Sequence, residues 1–117
     1  MKVLLVDDIL YNRVIIREII KGFGYNYVEA ENGLVALDCF SKHNFDMVLM
    51  DIEMPVMNGL ETVIKMRTAF PEPKNQTKIY AITAYNPSMM DYSIDFKNFN
   101  GIITKPYSIE KIKALFI

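Results

Sequence analysis

Short, unbroken apolar runs alternate along this chain with stretches whose apolar residues recur every three or four positions. Val3-Leu-Leu-Val6 is the first run. It has no polar residue to mark an exposed face, which suits a strand buried on both sides, as in a parallel sheet. From about Leu10 to Lys21 the spacing turns helical: Ile15, Ile16, Ile19, Ile20 and Phe23 share one side, and Gly22 and Gly24 mark the end. Tyr25 to Ala30, with β-branched and aromatic content, is the second strand. Glu31-Asn-Gly33 turns the chain into a helix reaching about His43, and Phe45 to Met50 is the third strand, closed by Asp51.

The second half repeats the alternation. Pro55 keeps Met54-Pro-Val-Met-Asn-Gly59 a loop, and Asn58-Gly59 can start the helix that Leu60, Val63, Ile64 and Met66 carry to about Phe70. Pro71 to Gln76 reads as a polar surface loop, and Thr77 to Ile82 as the fourth strand, ending at Thr83-Ala84. Asn86-Pro87-Ser88 can begin a helix, although Met89 to Phe99 has little clean periodicity. Gly101 to Thr104 is a fifth strand, ended by Lys105-Pro106; Ser108 caps a last helix marked by Ile109, Ile112, Leu115 and Phe116. Five strand–helix alternations predict an α/β fold, a parallel sheet with helices on both faces. Right-handed crossovers leave few ways to wind it.

Bulk properties narrow the class. The 117 residues, 51% of them hydrophobic, fit a single domain spanning 1–117. A net charge of −1 lacks the basic excess of a nucleic-acid binder. No apolar run approaches the roughly 20 residues of a membrane helix. Met1 to Val6 is too short for the apolar part of a signal peptide, so a cytoplasmic domain without membrane contact is expected. The lone Cys39 excludes an internal disulfide and, in an apolar helical pattern, reads as a buried, inert thiol.

In open parallel sheets chemistry gathers beyond the carboxyl ends of the strands. Here those ends carry Asp7 and Asp8, then Asp51 with Glu53 just after, then Thr83 and Ala84, then Lys105. If the first and third strands are neighbours, three aspartates converge. Carboxylates that close repel unless one takes a proton or a cation joins them. Hard oxygen donors suit Mg²⁺, which also takes phosphate oxygens. An Asp carboxylate can serve as nucleophile, with a lysine neutralising charge on the transferring group and a hydroxyl such as that of Thr83 donating to it. The set points to phosphoryl chemistry.

In their order and spacing, Asp7-Asp8, Glu31-Asn-Gly33, Asp51-x-x-Met-Pro-x-x-x-Gly59, Thr83-Ala84 and Lys105-Pro106 resemble the response-regulator receiver domains of two-component phosphorelays, over essentially the whole chain. The resemblance implies a flavodoxin-like (βα)5 domain with strand order 2-1-3-4-5. It implies that Asp51 accepts a phosphoryl group from a histidine on a histidine kinase or histidine phosphotransfer protein. Asp8, Asp51 and the backbone carbonyl of Glu53 would then hold Mg²⁺, with Asp7 acting through water. Lys105 would pair with the phosphoryl group and Thr83 would reorient toward it. The Lys105-Pro106 bond is commonly cis in the family. Self-phosphorylation is expected, not turnover of a separate substrate. Asn12-Arg13 and the form of the Asp51 motif resemble receivers fused to sensor histidine kinases; a stand-alone regulator is the other arrangement.

Receivers often carry Tyr or Phe three residues before the lysine. Here Ile102 stands there, so a different readout of phosphorylation is expected. Glu53 and Tyr85 occupy positions whose side chains influence water access to the acyl phosphate in the family. Leu10, Tyr11 and Val14 are surplus apolar groups, either local packing or a docking stripe; Met89, Met90, Tyr92 and Phe96 pose the same choice. His43 reads as a dipole partner at a helix C-terminus rather than a phosphodonor, and Asn12-Arg13 as a surface turn, with a role near the site as the other reading.

Three alternatives fit less well. A Mg²⁺-dependent aspartyl-phosphate-type phosphatase wants a second Asp two residues after the nucleophile, which Asp51-Ile-Glu53 only imitates. A flavin domain wants a Ser/Thr/Gly-rich phosphate loop where Asp7-Asp8 would repel the phosphate. An interaction module with an inactive site is opposed by the intact acidic set and Lys105.

Overall fold

The computed structural model describes residues 1–84, 96–105 and 108–116. Five strands form one parallel sheet: β1 (Lys2–Val6), β2 (Asn26–Ala30), β3 (Met47–Asp51), β4 (Lys78–Thr83) and β5 (Gly101–Thr104). Their order is β2-β1-β3-β4-β5. Among the described residues there are four α-helices: α1 (Leu10–Gly22), α2 (Gly33–Lys42), α3 (Gly59–Thr68) and α4 (Ile109–Ala114). None is long and apolar enough to cross a membrane.

The apolar runs are continuous because the sheet is covered twice. In β1, Val3 and Leu5 point into one core with Ile16, Ile20 and Ile112, from α1 and α4. Leu4 and Val6 point into the other with Ala36, Phe40, Val63 and Met66, from α2 and α3. Successive strand residues alternate between faces, so a strand between two helical layers needs apolar groups at every position.

Helix starts follow local chemistry. The Asn32 side chain accepts from the Val35 backbone N–H at 2.9 Å. Asn58 and Glu61 form a reciprocal capping box. The Ser108 side chain accepts from Lys111 N–H at 3.2 Å, as expected of an N-cap.

Several expectations are corrected. β3 begins at Met47 rather than Phe45, since pairing to β1 starts at Val3 opposite Met47. The 71–76 stretch is not plain loop: Lys74–Gln76 is a 3₁₀ turn, and Lys74 Nζ donates to the His43 carbonyl at 2.7 Å. His43 stands at the C-terminus of α2, as expected, and its Nδ1 also meets Lys2 Nζ at 2.8 Å. Cys39 is half-buried, not buried, and burial pushes its thiol pKa up. Residues 97–100 form turns and bends, in keeping with the lack of clean periodicity up to Phe99. The helix start at Asn86-Pro87-Ser88, the side chains of Tyr85, Met89, Met90 and Tyr92, and the Lys105-Pro106 bond lie outside the described residues.

Candidate phosphoacceptor and metal site

Val6 pairs with Met50, so the residues that follow, Asp7 and Asp51, leave adjacent strands side by side. The Asp7 backbone N–H still donates to Ala30 at 3.1 Å, which keeps β1 in register up to the acid. Its side chain then turns back: Oδ1 accepts from Ile9 N–H at 2.9 Å. Asp7, rather than Asp8, therefore closes the turn into α1. Asp8 is exposed, while Asp7 and Asp51 are each about 1% exposed. One carboxylate oxygen from each of Asp7, Asp8 and Asp51 lies within 4.8 Å of the others.

Beyond Asp51 the chain must make room. Gly59 sits against the end of β3, where a Cβ would collide with the Asp51 carbonyl oxygen. Between them Met57 N–H donates to the Pro55 carbonyl at 2.8 Å, closing a γ-turn on Val56, whose φ of 71° is unusual for a β-branched residue. This tight loop brings α3 back under the acid cluster.

The other side of the pocket comes from β4 and β5. Lys105 N–H donates to the Thr83 carbonyl at 2.7 Å, and Lys105 Nζ reaches Asp51 Oδ1 at 3.1 Å. Thr83 is fully buried, and its hydroxyl donates to Glu53 Oε1 at 2.8 Å. Ile102 lies on β5 with 37% of its surface exposed, so no ring stands between Thr83 and the outer edge at that position.

The electrostatics are those of crowded acids. Burial pushes the Asp51 pKa from 3.8 to about 7; Asp7 and Glu53 add to the rise and Lys105 opposes it. Burial also raises Asp7, against the Ile9 N–H, Lys105 and the Asn12 side chain. Burial disfavours the Lys105 ammonium, but Asp51, Asp7 and Glu53 outweigh it and the net shift is upward. Among the described residues Asp7 Oδ2 and Asp51 Oδ2 are buried without a hydrogen-bond partner. Two such anionic oxygens, with Asp8 beside them, fit a hard divalent cation such as Mg²⁺.

The structure thus brings together Asp7, Asp8, Asp51, Glu53, Thr83 and Lys105, all singled out from sequence. It also adds residues. Asn12 and Arg13 are not on an idle surface turn. Arg13 Nη1 donates to the Asp7 carbonyl at 2.6 Å, and its Nε lies 3.3 Å from Glu29. Arg17 also binds Glu29, at 2.9 Å. Arg13 and Arg17, four apart on α1 and facing the end of β2, were the available signal. Leu10 and Tyr11 are 60% and 72% exposed, so they are not local packing.

Comparison with known proteins agrees with this frame. The family model described as response regulator receiver domain matches residues 3–116. Sporulation initiation phosphotransferase F of Bacillus subtilis is 31% identical over 114 residues, covering 96% of this chain and 87% of the relative. Chemotaxis protein CheY of Listeria monocytogenes is 31% identical over 113 residues, covering 96% and 92%. The crystal structure of response regulator protein TrrA from Thermotoga maritima, in complex with Mg²⁺-BeF, superposes with a TM-score of 0.84 at 31% identity, covering 98% and 95%. Similarity of that extent, over nearly the whole chain, makes it a member of the response regulator receiver family, the phosphoacceptor modules of two-component signal transduction.

Proposed function

We propose that residues 1–117 form one receiver domain in which Asp51 is the phosphoacceptor. The observation that carries this reading is the state of the Asp51 carboxylate. It is buried, with one oxygen on Lys105 and the other unpartnered beside Asp7 and Asp8. A structural aspartate would have both oxygens satisfied.

Asp8, Asp51 and the Glu53 backbone carbonyl would hold Mg²⁺, with Asp7 acting through water. Bound there, the ion supplies positive charge that offsets repulsion between the carboxylates and the incoming phosphoryl oxygens. The remaining steps belong to the chain. Asp51, ionised, attacks phosphorus; the new O–P bond forms as the N–P bond of the donor histidine breaks, and the electron pair leaves with the partner's imidazole. Lys105 moves from the carboxylate to the phosphoryl oxygens, and Thr83 donates its hydroxyl to one of them. The donor is a histidine kinase or histidine phosphotransfer protein, the domain works in the cytoplasm, and it turns over no separate substrate.

The test is labelling with Mg²⁺ and acetyl phosphate, read as an acid-labile phosphoryl group, beside beryllofluoride binding. The unsubstituted domain should show both. Asp51→Asn should lose covalent labelling and bind beryllofluoride at least tenfold more weakly, roughly the worth of one charge-assisted contact. A wild-type domain that neither labels nor binds would sink the reading.

A further inference from the structure

The buried hydroxyl of Thr83 is already committed. It donates to Glu53 Oε1 at 2.8 Å, across 30 residues of sequence. A carboxylate is a charged acceptor, and hydrogen bonds to it are shorter and stronger than neutral ones. A phosphoryl group offers the same kind of acceptor, anionic oxygen, and a hydroxyl has one proton to give. Glu53 is exposed and stands two residues beyond Asp51, so its side chain can swing away without disturbing the core. Resting on the reading that Asp51 is phosphorylated and Thr83 answers it, we infer that Glu53 is a positioning residue that competes with the phosphoryl group for the Thr83 hydroxyl. It holds the domain in its resting arrangement.

Two further observations agree. Glu53 adds negative charge where the phosphoryl group must arrive, as its effects on Asp51 and Lys105 show. Ile102, with no ring, cannot supply the bulky side chain that would follow Thr83 inward. The two-state element is then the Thr83 hydroxyl itself, shared between Glu53 and the phosphoryl group. Phosphorylation frees an exposed carboxylate at the mouth of the pocket and so alters the surface charge a partner meets.

The experiment is a double-mutant cycle on Mg²⁺-beryllofluoride affinity. Glu53→Ala should tighten binding about tenfold, and Glu53→Gln less, because its carbonyl oxygen still accepts from Thr83. In a Thr83→Ala background the gain from Glu53→Ala should shrink to roughly two- or threefold, the part due to charge alone. A second readout needs no metal or ligand. The Thr83 side-chain chemical shifts should move in Glu53→Ala, because the carboxylate on its hydroxyl is lost. Unchanged or weaker affinity in Glu53→Ala, an undiminished gain in the Thr83→Ala background, or Thr83 side-chain shifts that do not move overturns the inference while leaving Asp51 as acceptor. Failure of the unsubstituted domain to bind beryllofluoride overturns both.

Discussion

At the carboxyl edge of the sheet Asp7 and Asp51 each bury a carboxylate oxygen that has no hydrogen-bond partner among the described residues. At the amino edge Arg67 does the opposite. Its Nε donates to the Asn98 carbonyl, Nη1 to the carbonyls of Asn75 and Thr77, and Nη2 to Asn100 Oδ1, with distances of 3.0 Å or less. Asn100 Oδ1 also accepts from Ile79 N–H at 2.8 Å, so the network ties α3 to the first residues of β4 and β5. Both edges draw charge out of water. One satisfies it and gains a fastening; the other leaves one oxygen of each acid unsatisfied, in a cluster that a hard cation fits. A buried charge without partners costs free energy, and a fold keeps it where chemistry needs it.

The largest effect should come from relieving the acid pocket. Without a cation, Asp51 holds its proton up to about pH 7, against 3.8 ordinarily. Below pH 3.8 the group is protonated whether the chain is folded or not, and nothing is lost. Between 3.8 and 7 the unfolded chain releases a proton that the folded chain keeps, so stability falls as pH rises. Above 7 the full penalty applies, on the order of 4 kcal/mol at about 1.36 per pKa unit. Asp51→Asn should therefore stabilise the metal-free domain at pH 8 by an amount of that order and change little at pH 3.5. Millimolar Mg²⁺ should flatten the same slope in the unsubstituted protein. Urea unfolding across pH reads both; an Asp51→Asn domain no more stable at pH 8 than at pH 3.5, relative to wild type, would refute the cost assigned to the pocket.

The satisfied edge should respond with the opposite sign. Arg67→Met keeps the apolar stem but leaves three carbonyls without their donor. The expected loss is about 2–3 kcal/mol, from several modest bonds and the desolvation of stranded acceptors. It should be nearly independent of pH between 5 and 8 and should leave beryllofluoride affinity unchanged. Thermal unfolding beside a binding titration checks it.

The two edges also differ in how far the sequence discloses them. The acid pocket is legible because its members stand at strand ends, and strand ends follow from apolar runs: once Val3–Val6 and Met47–Met50 are parallel neighbours, Asp7 and Asp51 must meet. Asn32, Asn58 and Ser108 are legible as helix starts for the same local reason. Arg67 is not. Its partners lie 8 to 33 residues away, and three of its four hydrogen bonds go to backbone carbonyls that any residue supplies, the fourth to the Asn100 amide oxygen. No periodicity encodes which carbonyls a long side chain will reach. The Thr83–Glu53 bond was hidden likewise: both positions were marked, but their contact depends on how the loop after β3 bends over β4.

Arg13 tests the comparison most finely, because it is a partnered cation placed against the unpartnered edge. Its Nη1 holds the Asp7 carbonyl, and its Nε shares Glu29 with Arg17. Its side chain is 14% exposed, so this is neither a free surface pair nor a fully buried one. Arg13→Met should cost about 1 kcal/mol, near the net worth of one such hydrogen bond with a partly screened ion pair. Arg17 still holds Glu29 in the variant, which keeps the loss small. If Arg13 merely fastens α1 to β2, as Arg67 fastens the amino edge, Mg²⁺ affinity should not change. If it sets the position of the Asp7 backbone, Mg²⁺ should bind several-fold more weakly while the unfolding midpoint moves only slightly. The bond to the Asp7 carbonyl, the short one of the pair, favours the second outcome, and a metal titration of Arg13→Met beside its thermal melt separates the two.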